Sequence, residues 1–394
     1  MVQPDDALKE SAAATLHVTA LCDSEAFETL RGEWEALLER APRATAFQCP
    51  DWLATSWRLS HGRQAIQLLS VRDDAGEMVG IMPLRYQHYG RWPWRLRVLR
   101  WLGQDKTGLT ETLGPVFAAG YETAAMRAVL TYLGRGAREW DILELPRTPE
   151  PLALMFRDWT QEMGYKVMDF AAASRLYIHL AADWSSLQRT LSKNLRSNLA
   201  RCRNRLDREG HVVSFSMLAD PEAIVAALPR FFELHRMRSE AAEMKQHNDY
   251  FPTQANRDFV VEMARILAPR QRLLLAQMEV DGAVVATQLL LFQSQTMSAY
   301  YSGFDPQWRQ YSVMTLLTRA CVEYAIARGM SWVDLTEGSR SQAKRQWGNE
   351  ELMSYHVLIA RPPLLTVLAA RALLKWYATR ARRDVRPSSK GSDS

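Results

Sequence analysis

Apolar residues recur at helical spacing between Glu25 and Arg40, where Phe27, Leu30, Trp34, Leu37 and Leu38 share one face and Pro42 follows the stop. Pro50 opens a second helix, with Trp52, Leu53, Ser56 and Trp57 on one side. Ile66 to Val71 and Met78 to Leu84 read as strands joined by a turn over Asp73 to Gly76. Tyr86 to Thr112 is rich in Trp, Arg and Gly and follows neither period. After it come a helix from Tyr121 to Leu133, a strand from Trp140 to Leu145, a helix from Pro151 to Met163 and a strand-like run from Tyr165 to Leu180.

The second half repeats that plan. Leu273 to Val280 and Val284 to Phe292 are strands around the turn Asp281-Gly282, and a further strand covers Met297 to Ser302. A helix over Val313 to Arg328 follows, stopped by Gly329, and Ser331 to Leu335 is a short buried strand. Matching order in the two halves points to internal duplication. The predicted organisation is a disordered start (1–15), two related α/β domains (16–182 and 183–360, meeting near Ala181 to Ser185) and a tail (361–394). The tail runs as a basic amphipathic helix from Pro362 into a disordered end. It suits an anionic membrane surface, the body of the protein or a partner.

Composition narrows the class. At 394 residues, 47% of them apolar, the chain is long enough for more than one core. The 4 cysteines, Cys22, Cys49, Cys202 and Cys321, are scattered without metal spacing, which fits reduced thiols in a cytoplasmic protein and no metal site. The N-terminus has no signal-peptide pattern, and no run is long enough to span a membrane. A net charge of +5 is compatible with an anionic ligand.

Much of that excess sits in LQRTLSKNLRSNLARCRNRLDREG, from Leu187 to Gly210. Ser192 is a cap candidate, and Leu195, Leu199, Cys202 and Leu206 form an apolar stripe. Lys193, Arg196, Arg201, Arg203, Arg205 and Arg208 cover the rest, either as a solvated face or as a site for donor phosphates or an RNA backbone. No RNA-binding signature accompanies them.

Further motifs follow in order: FFELHRMRS from Phe231, YYSGFDPQWRQYSVMTLL from Tyr300, D-x-x-E-G from Asp334 to Gly338 and K-R-x-W-G from Lys344 to Gly348. With the segment Ser192 to Gly210, they resemble the FemAB-like branch of the GNAT acyltransferases. The nearest subgroup is the CelD-like acetyltransferases associated with cellulose and other exopolysaccharide synthesis. The resemblance spans roughly residues 45 to 360. It implies tandem GNAT-like domains, each a mixed, mainly antiparallel sheet flanked by helices, with the donor site in the second. It also implies transfer of an acetyl or other acyl group from acyl-CoA to an amine or hydroxyl of a small-molecule or saccharide acceptor. Cytoplasmic work beside a polysaccharide synthase, peripheral to the inner membrane, goes with that reading. An aminoacyl-tRNA donor, used by Fem-type relatives, and a non-catalytic regulatory module are the alternatives.

In GNAT folds the donor pyrophosphate rests on a helix N-terminus, usually through a glycine-bearing loop. The matching stretch here is Arg309-Gln310-Tyr311-Ser312-Val313-Met314, without glycine. Arg309, Gln310, Tyr311 and Ser312, with Lys344 and Trp347, are the donor-binding candidates. Asp334 and Glu337, at a strand end, are candidate bases if burial raises a carboxylate pKa. The competing role for Asp334 is an ion pair with Lys344 or Arg345. His235 is a second base candidate or a packed histidine, and Tyr301 is a proton donor or core.

Overall fold

The computed structural model describes residues 15–61, 64–89, 95–104, 107–136, 139–241, 248–337, 342–362, 366, 368–373 and 375. Its strands are β1 (His17–Leu21), β2 (Ile66–Arg72), β3 (Met78–Tyr89), β4 (Leu96–Trp101), β5 (Val116–Phe117), β6 (Ile142–Pro149), β7 (Lys166–His179), β8 (Val213–Leu218), β9 (Leu273–Val280), β10 (Ala283–Gln293), β11 (Thr296–Phe304), β12 (Trp332–Glu337) and β13 (Glu350–Ala360). The helices are α1 (Ala26–Glu39), α2 (Pro50–His61), α3 (Glu122–Arg135), α4 (Glu150–Glu162), α5 (Trp184–Thr190), α6 (Lys193–Arg208), α7 (Pro221–Glu240), α8 (Gln254–Leu267), α9 (Val313–Ala327) and α10 (Gln342–Arg345).

All strands join one sheet in the order β1-β2-β3-β4-β6-β13-β7-β12-β11-β10-β9-β8, with β5 paired to β3. Pairing is antiparallel except at β4–β6 and β11–β12. Those two parallel contacts occupy equivalent places. β4 and β6 pair through Val98–Ile142, Leu99–Leu143 and Arg100–Glu144, while β11 and β12 pair through Thr296–Trp332, Met297–Val333 and Ser298–Asp334. Each parallel contact joins strands separated by a helix, as a crossover requires. The duplicated order of elements is thus matched by duplicated pairing. The closing strands are exchanged between halves: β13 lies between β6 and β7, and β7 reaches β12.

Helices form where the apolar stripe is complete. Phe27, Leu30, Trp34, Leu37 and Leu38 of α1 are all buried, as their spacing predicts. Ser192 caps α6 by accepting the Leu195 N–H at 3.2 Å, and Leu195, Leu199, Cys202 and Leu206 turn inward. One core links α1 to α4 with α7 and α8 across both halves; a second packs α5, α6 and α9 on the sheet of the C-terminal half. A small third cluster places Ala370 of the tail against Val98, Ile142, Leu358 and Ala360, so this part of the tail docks on the body. Of the segments read as disordered, 1–14 of 1–15 and the end of the tail lie outside the described residues. Among the described residues no helix is long and apolar enough to cross a membrane.

The stretch Tyr86 to Thr112 that follows neither period supplies the end of β3, then β4, then a loop that crosses to the other half. β4 escapes pattern reading because Arg97 and Arg100 interrupt its apolar run, and Arg100 is buried in an ion pair with Glu144. His356 lies alongside, with Nε2 3.8 Å from Glu144 and its ring stacked on Phe170. Burial pushes the His356 imidazole down to about 4 from an ordinary 6.5, despite Glu144. The folded state therefore holds this group neutral where the unfolded chain protonates it, and stability falls as pH drops from about 6.5 towards 4. His356→Phe should flatten that slope in urea midpoints measured across this window; an unchanged slope would assign acid sensitivity to other groups.

Candidate functional site

The β11–β12 ladder stops at Ser298–Asp334 while β11 continues to Phe304 and β12 to Glu337, so the two strands open into a cleft at their carboxyl ends. Thr336 adopts a left-handed conformation (φ 61), and the pairing of β12 with β7 shifts register between Asp334 and Glu337. This bulge separates the two carboxylates.

Asp334 faces the interior and is fully buried. One oxygen accepts the Thr336 N–H at 2.8 Å, and the other pairs with Arg175 of β7 and lies 3.5 Å from the Ser298 hydroxyl. Its partner is Arg175, not Lys344 or Arg345. A fully buried carboxylate held by a guanidinium and a backbone amide is stabilised in its charged form, and this placement favours an ion-pair role over a base.

Glu337 is half-exposed and pairs with Arg147 Nε at 2.9 Å. Arg147, itself left-handed (φ 54), also donates to the Thr110 carbonyl at 3.2 Å. Lys344 Nζ donates to Thr336 Oγ1 at 3.0 Å and to the Glu337 carbonyl at 2.9 Å. Burial pushes the Lys344 ammonium down to about 8, against the pull of Glu111 and Asp334. Glu111, on the crossing loop, is buried with Oε2 lacking a hydrogen-bond partner among the described residues, and desolvation raises its pKa. The mouth of the cleft thus carries Glu337, Lys344, Glu111 and Arg147, four charged groups drawn from both halves.

Tyr301 and His235 belong to the wall. Tyr301 Oη donates to the Gly108 carbonyl at 2.8 Å and Tyr300 Oη to that of Leu109, tying the crossing loop to β11. Desolvation raises the Tyr301 phenol well above its ordinary value, so it keeps its proton. His235 is fully buried in α7. Its Nδ1 lies 2.9 Å from the Ser302 carbonyl and its Nε2 3.3 Å from the Tyr250 N–H, which assigns a neutral ring with the proton on Nδ1. Burial lowers its pKa, in keeping with that state. α7 presses so closely on β11 that a Cβ at Gly303 would come 2.3 Å from the His235 backbone nitrogen.

On the other lip, a short 3-10 turn over Pro306–Tyr311 leads into α9. Arg309 and Gln310 are exposed, and Tyr311 is buried with its hydroxyl on Glu209. Gln310 Oε1 accepts from Arg205 at 3.0 Å. Ser312 begins α9 in a left-handed conformation (φ 50, ψ 44) without capping it by its side chain. The glycine-free loop therefore takes the turn a glycine would take, at a cost of roughly 1 kcal/mol. Thr315 N–H donates to the Ser312 carbonyl at 2.8 Å, which among the described residues leaves the amides of Val313 and Met314 for an anion. Trp347 is buried 6.3 Å from the Trp184 ring and anchors the segment after α10 to α5. Gly338 lies outside the described residues. Among those described, no group of His, Cys, Asp and Glu is placed to hold a metal ion.

Residues 193–345, which carry both lips of this cleft, match the family model described as an acetyltransferase (GNAT) domain. This segment, less than half of the chain, is similar to a GNAT acetyltransferase domain. The crystal structure of FemX superposes with a TM-score of 0.58 at 12% identity, covering 84% of this chain and 95% of that one. A conserved protein of unknown function from Bacteroides thetaiotaomicron VPI-5482 gives a TM-score of 0.52 at 10% identity, covering 87% and 100%. These likenesses extend the fold beyond the GNAT domain to nearly the whole chain. No curated protein matches the sequence. Relative to the motif-based candidates, the residues missed are Glu111, Arg147 and Arg175. Each sits in the other half, and only the exchanged strand and the crossing loop bring it to the GNAT domain.

Proposed function

We propose that the chain is an acyltransferase that takes an acetyl or other acyl group from acyl-CoA and places it on an amine or hydroxyl. The observation that carries this is the open β11–β12 edge, set beside the uncapped N-terminus of α9 within the matched domain. In this reading the α9 amides and Arg309 hold the donor pyrophosphate, and the acyl chain follows the cleft toward Lys344 and Glu337. Lys344, neutral in part near pH 8, takes the acceptor proton as the new bond to the acyl carbon forms and the carbon–sulfur bond breaks. Glu337 and Arg147 orient the acceptor at the mouth. Among the motif-based candidates, Asp334, His235 and Tyr301 are assigned to the frame.

The motif resemblance points to a small-molecule or saccharide acceptor of a cell-envelope or exopolysaccharide route, with the basic tail as a contact to a synthase or an anionic membrane. Calorimetry with acetyl-CoA and CoA tests the donor. Micromolar to sub-millimolar binding is expected; absence of heat at millimolar ligand, with aminoacyl-tRNA bound instead, would replace this donor by the other one the resemblance allows.

A further inference from the structure

α6 spans the two lips of the cleft. Near its N-terminus, Thr190 to Ser192 face Arg345 to Asn349 across a cavity of ≈ 370 Å³. At its other end Arg205 bonds Gln310 in the turn ahead of α9. Beside that contact lies a depression of ≈ 560 Å³ lined by Arg201, Asn204, Arg205, Arg208 and Glu209. Its charge balance is uneven. Glu209 is shared by Arg205 Nε at 2.8 Å and by the Tyr311 hydroxyl, and both hold its pKa down. Arg205 is fixed a second time, 4.8 Å over the Tyr311 ring. Among the described residues, Arg201 donates to the neutral Asn198 oxygen at 2.8 Å and pairs with no carboxylate. Arg203, one residue from the depression's lining, is matched by Asp207 and adds nothing to it.

We propose that this depression binds a phosphate monoester on the nucleotide end of the donor, the 3′-phosphate of coenzyme A, through Arg201 and Arg208. The assignment of the ligand rests on the acyl-CoA reading above. The site itself rests on three guanidinium groups around one already engaged carboxylate, next to the turn that would hold the pyrophosphate. A dianionic monoester meets forked donors there, and each guanidinium can give it two parallel hydrogen bonds. Arg205 is the positioning residue, since Glu209, Gln310 and Tyr311 occupy it.

The test is titration calorimetry on the full chain with adenosine 3′,5′-bisphosphate against adenosine 5′-monophosphate, and with CoA against dephospho-CoA. The 3′-phosphate should tighten binding by about tenfold or more in each pair. Arg201→Gln with Arg208→Gln should reduce both ratios to within about twofold while leaving the thermal midpoint in place. Equal binding within the pairs, or a preference that survives the double substitution, overturns the phosphate site. A preference for the bisphosphate that depends on these arginines, in a chain that binds no acetyl-CoA, keeps the site and removes the acyl-CoA reading.

Discussion

Arg175→Met should destabilise the chain by about 3–5 kcal/mol, because it strands the Asp334 carboxylate in the sheet without its cation. The partner is fully buried, and among the described residues the ion pair is supplemented by the Thr336 amide and a long contact to Ser298. Arg175 also donates to the Glu111 carbonyl at 2.7 Å, so its loss also loosens the crossing loop. Urea unfolding provides the measurement. Asp334→Leu added to Arg175→Met should recover most of the loss, since an apolar pair leaves no unpaired charge. A single substitution costing less than about 1 kcal/mol would show that water reaches Asp334, and would reopen its candidacy as a base.

Lys344→Met should lower kcat by at least about a hundredfold with acyl-CoA and a competent acceptor, the usual worth of a placed general base. The pH profile separates this from a packing effect. With Lys344 as base, the rate rises through about pH 8 as its ammonium deprotonates, and the inflection disappears in the variant. Arg147→Lys or Glu337→Gln should raise KM more than they lower kcat, because in the proposal they orient the acceptor. If Glu337→Gln instead abolishes the inflection and Lys344→Met preserves it, the base is the carboxylate.

Much of the molecule is legible without coordinates. The stripes of α1 and α6, the hairpins around Asp73–Gly76 and Asp281–Gly282, and the repeated strand, helix, strand order all follow from local periodicity and turn chemistry, which act over a few residues. Lys344, read as a donor contact, and Glu337, read as a candidate base, come from motifs that lie within one continuous segment. Asp334 marks the complementary limit. Its position at a strand end is local, but the identity of its partner is not, and Arg175 is far away in the chain.

His235 illustrates the same boundary. Helical spacing placed it among Phe231, Phe232 and Arg238, yet what decides its state is the Ser302 carbonyl and the Tyr250 amide brought by other elements. The loop ahead of α9 shows the reverse case. The matching stretch lacks the usual glycine, while the fold holds Ser312 in the left-handed region that glycine prefers.

Sequence by itself determined the two-fold plan, the helix and strand inventory of its regular parts, and the residue types available for acyl transfer. Tertiary structure alone decided that β13 enters the first half and β7 the second, that Glu111, Arg147 and Arg175 are brought to the end of β12, and that Asp334 is held in an ion pair. The reason is physical. Periodicity reports which face of an element is buried, whereas the proton affinity of a carboxylate or amine depends on charges and solvent exclusion supplied by residues far apart in the chain.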